Sequence, residues 1–137
     1  MTEVLAAIQP RDGCRYLDGT IGGAGHSEAI LQRSGPSGSL LGIDRDGAAL
    51  EAAARRLTPF GGRFELHHGT FDRMGEWTPD ASCDGILLDL GTSSPQLDHA
   101  DRGFSFQADG PLDMRMDITQ AMTAADLVNT ADPADLE

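Results

Sequence analysis

Lysine is absent from this sequence. All ten basic residues of the 137 are arginine, and they stand against 22 acidic residues for a net charge of −12 at pH 7. A chain this acidic is a poor non-specific binder of nucleic acid, because phosphates attract the opposite charge. RNA or DNA contacts made through bulk charge by this segment are therefore not expected. Cysteine is scarce as well. Cys14 and Cys83 lie far apart, with no CxxC partner and no His at ligand spacing. They read as buried thiols, not as a disulfide or a metal site, and no metal is expected. No apolar run approaches the roughly 20 residues of a membrane span. No signal peptide precedes the first strand, so a cytoplasmic location is expected and no membrane partner. Internal repeats and low-complexity tracts are also missing. What remains is an ordinary globular composition, 39% hydrophobic and 23% charged, with enough length for one domain and a real core.

The densest run of small residues is Asp18-Gly19-Thr20-Ile21-Gly22-Gly23-Ala24-Gly25-His26-Ser27. A short apolar run, Cys14 to Leu17, precedes it and reads as a strand. Glu28 to Gln32 follows and reads as the start of a helix reaching about Arg33, with Ser27 as its cap. Small residues between a strand and a helix let backbone approach a ligand with no Cβ in the way. The helix start adds free N–H groups. An α/β fold holds a nucleotide-type cofactor in this manner, although a tight structural turn uses the same residues. The spacing of Gly22, Ala24 and Gly25 departs from the dinucleotide fingerprint. Asp18, at the strand end, suits a cofactor with a positive or hydrogen-bond-donating group better than a pyrophosphate. S-adenosylmethionine (SAM), with its ammonium and sulfonium, is such a cofactor. A nicotinamide-dependent oxidoreductase is a competing class, and the glycine spacing argues against it.

The rest of the chain repeats the strand-then-acid pattern. Val4, Leu5 and Ile8 predict a short amphipathic helix ended by Pro10. Ser39 to Asp44 reads as a buried second strand ending in an acid. A carboxylate about 20 residues past a glycine loop, at the end of the next strand, is placed to grip a ribose diol. Asp44 fits that role. It also fits a helix cap, but Asp46 is the better cap for the Ala-rich helix over 47–57. Arg63 to His67 reads as a third strand. His67 and His68 find no catalytic partner and read as a surface pair. Phe71 follows that strand, where it can face an adenine ring or pack as a core residue. Asp84 to Gly91 is a fourth apolar run, with Asp89 at its end. Three strands ending in Asp18, Asp44 and Asp89 in a βαβ order predict a parallel sheet with helices on both faces. The three carboxylates then gather at its carboxyl edge as a site.

Thr92 to Asp98 is polar and rich in turn formers, and a long irregular segment continues through Asp117. Long ordered loops are usually functional. Residues 122–128 predict a further helix with Thr123 as its cap.

The strings DGTIGGAGHS (18–27), GIDRD (42–46), Gly69-Thr70-Phe71, DGILLDLGTSSPQLD (84–98), RGFSF (102–106) and DGPLDMRMD (109–117) closely resemble the bacterial RsmH (MraW) family. Its members are SAM-dependent methyltransferases that act on the N4 amino group of a cytidine in 16S ribosomal RNA. The resemblance implies a Rossmann-like class I methyltransferase sheet, with a helical domain inserted after the fourth strand. On that reading, residues 1–97 are the N-terminal half of the SAM-binding domain. Residues 98–137 are an irregular loop and the start of the inserted helical substrate domain. The fold would stop before its remaining strands, leaving the fourth strand as an open apolar edge. The family's SAM contacts fall on Ala24, Gly25, His26, Asp44, Phe71, Asp89 and Gln96. His26 and Gln96 come from the resemblance alone. Ala24 stands where the family usually has Gly, and its methyl is expected to be tolerated unless φ is positive.

The implied reaction is methyl transfer to an exocyclic amine, with 16S RNA in the small ribosomal subunit as partner. Asp89 with Ser93, Ser94 and Pro95 are the residues expected to orient that amine. Phe104 or Phe106 could stack on the base, or pack the loop onto the core. Arg102 and Arg115 are candidates for phosphate contacts or for salt bridges within the loop. A non-catalytic segment that binds cofactor without the substrate domain is the alternative for a chain of this length.

Overall fold

The computed structural model describes residues 1–132 and 134. The chain forms two compact units, Met1–Leu90 and Gly91–Glu137.

The first unit is a four-stranded parallel sheet. Its strands are β1 (Arg15–Asp18), β2 (Ser39–Asp44), β3 (Phe64–His68) and β4 (Gly85–Leu87), in the spatial order β3-β2-β1-β4. Leu17 sits opposite Leu41 on one side and Ile86 on the other, so β1 and β2 are central and β4 closes the sheet. Parallel neighbours need a crossover, and helices supply it. The crossover helices are α2 (Gly25–Arg33), between β1 and β2, and α3 (Gly47–Leu57), between β2 and β3; α1 (Thr2–Ile8) precedes β1. The Asp46 carboxylate caps α3 by accepting from the Ala48 N–H at 3.0 Å, as the sequence predicted.

Alternation along the central strands splits the core into two. Tyr16 and Leu40 face Leu5, Ile30, Leu31, Ala53 and Leu57 of the helices. The buried Tyr16 hydroxyl accepts from the Arg11 N–H at 2.8 Å, so its polar tip is satisfied. Leu17, Leu41 and Ile43 face the other way and pack against Met74, Trp77 and Cys83. Helices were expected on both faces. That second face is instead covered by the 3-10 segment Phe71–Glu76 and the residues after it. Both cysteines are free and half-buried, not fully buried as expected. β4 is shorter than the apolar run that suggested it, and Asp89 lies beyond its end.

The second unit holds two short helices, α4 (Ser94–Asp98) and α5 (Ala124–Thr130). The Thr123 cap of α5 is observed, its hydroxyl accepting from the Asp126 N–H. α4 was read only as a turn-rich segment. Its start is fixed by a capping box between Ser93 and Gln96. Among the described residues no helix is long and apolar enough to cross a membrane.

Candidate functional site

Between β1 and α2 the chain crosses the carboxyl edge of the sheet, and side chains from distant strands hold it there. Asp18 is buried, at 2% exposure. Its carboxylate accepts from the Ser27 hydroxyl at 2.6 Å and from the Thr20 N–H at 3.2 Å. Burial pushes the Asp18 carboxyl above its ordinary value, while those hydrogen bonds pull it down. Asp18 therefore serves the loop and presents no free carboxylate to a ligand. Ser27 is not the helix cap. α2 starts two residues earlier, at Gly25, and Ala24 is its N-cap residue, with φ 60° and ψ 27°. That positive φ is the condition under which the Ala24 methyl was expected to matter.

The next tie comes from β2. The Asp44 carboxylate accepts from the Gly22 N–H at 2.8 Å through one oxygen and from the Asp46 N–H at 2.9 Å through the other. Each oxygen keeps a further lone pair for a ligand hydroxyl. From α3, Arg56 donates to the Gly23 carbonyl at 2.7 Å and pairs with Glu28 at 3.3 Å. From beyond β4, the Asp89 N–H donates to the Thr20 hydroxyl oxygen at 2.7 Å. The Asp89 carboxylate is 67% exposed and lies 3.7 Å from His26 Nδ1. Of the three strand-end acids, Asp44 and Asp89 are thus available at the edge and Asp18 is spent beneath it. Thr20 and Arg56 went unread in the sequence. Their partners are remote in the chain, and no local spacing marks them.

Two glycines set close approaches around this loop. A Cβ on Gly42, in mid-β2, would collide with the Ile21 side chain and come within 2.9 Å of Leu66 Cδ2. A Cβ on Gly19 would stand 2.5 Å from Leu88 Cδ2 and 2.9 Å from Phe71 Cβ. The bare Gly19 backbone is what admits Phe71 to the edge, where it remains 39% exposed. His67 is not a bare surface residue. It stacks on Trp77 with ring centroids 4.9 Å apart. His68 Nε2 meets the Arg45 carbonyl at 2.9 Å.

The other sequence-derived residues belong to the second unit. Ser93, Ser94 and Pro95 open α4, and the buried Gln96 accepts from the Ser93 N–H at 3.0 Å. Phe104 is buried, whereas Phe106 is fully exposed. Arg115 is committed within its loop. It grips Asp113 at 2.7 and 2.8 Å and donates to the carbonyls of Ile118 and Gln120. Arg102 donates to the carbonyls of Arg115 and Met116, both at 3.1 Å. The loop thus holds Arg115 through a carboxylate and two carbonyls, and Arg102 through two carbonyls.

SAM needs acceptors for its ammonium and ribose hydroxyls, donors for its carboxylate and a face for its adenine. Asp89, Asp44, the first N–H groups of α2 and Phe71 supply that set of chemistries at one edge. The fold itself is known. The chain superposes on a SAM-dependent O-methyltransferase from Thermotoga maritima with a TM-score of 0.55 at 18% identity, covering 65% of this chain and 33% of that one. An rRNA methylase from Streptococcus thermophilus gives a TM-score of 0.54 at 19% identity, over 66% and 52% of the two chains. The architecture is therefore a Rossmann-like parallel sheet. In sequence, the chain is 53% identical to the ribosomal RNA small subunit methyltransferase H of Syntrophotalea carbinolica, over 98% of this chain and 44% of that protein. The corresponding protein of Trichlorobacter lovleyi is 52% identical over the same shares. The chain thus spans less than half the length of these relatives. A family model described as the MraW methylase family matches residues 1–137, and the chain belongs to that family.

Proposed function

We propose that this chain carries the SAM-binding half of a methyltransferase that modifies the N4 amino group of a cytidine in 16S ribosomal RNA. The observation that carries the reading is the meeting of the glycine loop, Asp44 and Asp89 at one sheet edge. SAM, when bound, supplies a methyl group made electrophilic by the sulfonium. Asp44 would accept from the ribose hydroxyls, and Asp89 would meet the ammonium. Phe71 would face the adenine. Ala24, Gly25 and His26 would line the loop side; Gln96 is a cofactor contact on the resemblance alone. A cytosine amine is a poor nucleophile, because its lone pair is delocalised into the ring. It must be held in line and have its N–H groups accepted. Asp89 and the Ser93-Ser94-Pro95 segment are our candidates for that orienting role. The names of the relatives support the RNA substrate.

Calorimetric titration of the chain with SAM, with NAD as the control, tests the cofactor reading. We expect saturable SAM binding and no NAD binding. Asp44→Ala is expected to weaken SAM binding by about 1–3 kcal/mol, the loss of a charged hydrogen-bond partner. Unchanged affinity removes Asp44 from the site. Methyl transfer to small-subunit RNA then separates an active enzyme from a segment that only binds cofactor.

A further inference from the structure

Thr20 sits at the centre of the loop's ties, and its hydroxyl is only half used. The oxygen accepts from the Asp89 N–H at 2.7 Å, while the Thr20 N–H donates to Asp18 at 3.2 Å. The residue is half-buried. A threonine hydroxyl carries one proton and two lone pairs. The Asp89 N–H occupies a lone pair and fixes the oxygen in place. The β-branch also restricts χ1. Among the described residues, no protein acceptor takes the remaining proton. The side chain therefore presents a pre-positioned donor beside the exposed carboxylate of Asp89.

We propose that Thr20 is a cofactor-binding residue whose hydroxyl donates to the carboxylate at the methionine end of SAM. The inference rests on the SAM reading above. Its argument is one of sign. A donor proton cannot serve the ammonium or the sulfonium, which need acceptors or negative charge. The ribose hydroxyls have Asp44, one strand away. The sole anionic group of SAM is its carboxylate, and it is bonded to the carbon that bears the ammonium. A donor next to the acid that meets the ammonium is where that carboxylate is recognised. Thr20 thereby selects for an intact amino-acid end on the cofactor.

The test compares S-adenosylhomocysteine with its decarboxylated counterpart by calorimetry on the wild-type chain, Thr20→Val and Thr20→Ser. The wild type is expected to prefer the carboxylated ligand by about tenfold or more, the scale of one hydrogen bond to a charged group. Thr20→Val should reduce that preference to roughly threefold or less, and Thr20→Ser should retain it. Circular dichroism checks that each variant is folded. Should the valine variant not fold, Thr20→Ala supplies the same comparison. If Thr20→Val weakens both ligands equally, the residue only shapes the loop and the proposal is overturned. A wild type that does not distinguish the two ligands overturns it too. A wild type that binds neither ligand overturns the SAM reading itself, a failure visible before any variant is made.

Discussion

Ala24 shows how one residue balances two opposed terms. Its left-handed conformation costs a non-glycine residue about 1–2 kcal/mol. Its side chain, however, is fully buried in the core against the helices, and burying one methyl contributes about 0.8 kcal/mol. The two terms largely offset each other. Ala24→Gly is therefore expected to change unfolding free energy by less than about 1 kcal/mol in urea titration. Ala24→Val adds a β-branch at positive φ and extra volume in a filled core, and should lose about 3 kcal/mol. Asp18 illustrates the same economy. An acid that closes a strand looks from sequence like a ligand, yet this one is consumed by Ser27 and Thr20. The distinction depends on burial, which the sequence pattern does not carry.

At the scale of elements, the loop is built by strands that have left room for it. Gly19→Ala should cost about 1–3 kcal/mol by forcing Leu88 and Phe71 apart. It should also weaken SAM binding, because Phe71 is displaced from the edge. Urea unfolding and calorimetry read the two effects separately. In the Gly91–Glu137 unit, the Arg115 guanidinium and backbone N–H hold the Asp113 carboxyl down to about 2. Its folded value lies below its unfolded value, so its stabilising contribution is complete above the unfolded range. That contribution is lost as pH falls from about 4 toward 2. Acid unfolding of the wild type should thus include a component in that window which Asp113→Asn lacks. Much of this architecture was legible beforehand. The four strands, α1 to α3 and the Asp46 and Thr123 caps follow from apolar periodicity and from local chemistry. Three features were not legible: the early start of α2, the helical form of Ser94–Asp98 and the 3-10 cover over Leu17 and Leu41. The first depends on a left-handed alanine. The second depends on a capping box in a stretch of turn formers. The third arises because Met74 and Trp77 cover apolar surface without a helical repeat.

Within the Met1–Leu90 unit, the position of β4 at the end of the strand order matters most. Ile86 is 53% exposed and Leu88 is 40% exposed, and an apolar edge strand invites pairing with another chain. The net charge of −12 opposes such encounters. We expect self-association that rises with protein and salt concentration, read by sedimentation, and Ile86→Lys should suppress it. The ties on the glycine loop carry a further consequence, for the order of assembly. Gly22 is held from 22 residues away, Gly23 from 33 and Thr20 from 69. The Asp18 ties to Thr20 and Ser27 are local, but these three close only when a later segment has docked, so no nascent stretch finishes the loop by itself. A ligand that recognises the finished loop therefore recognises completed folding. It acts as a latch and not as a template: it slows the opening of the assembled sheet and leaves the rate of its formation unchanged.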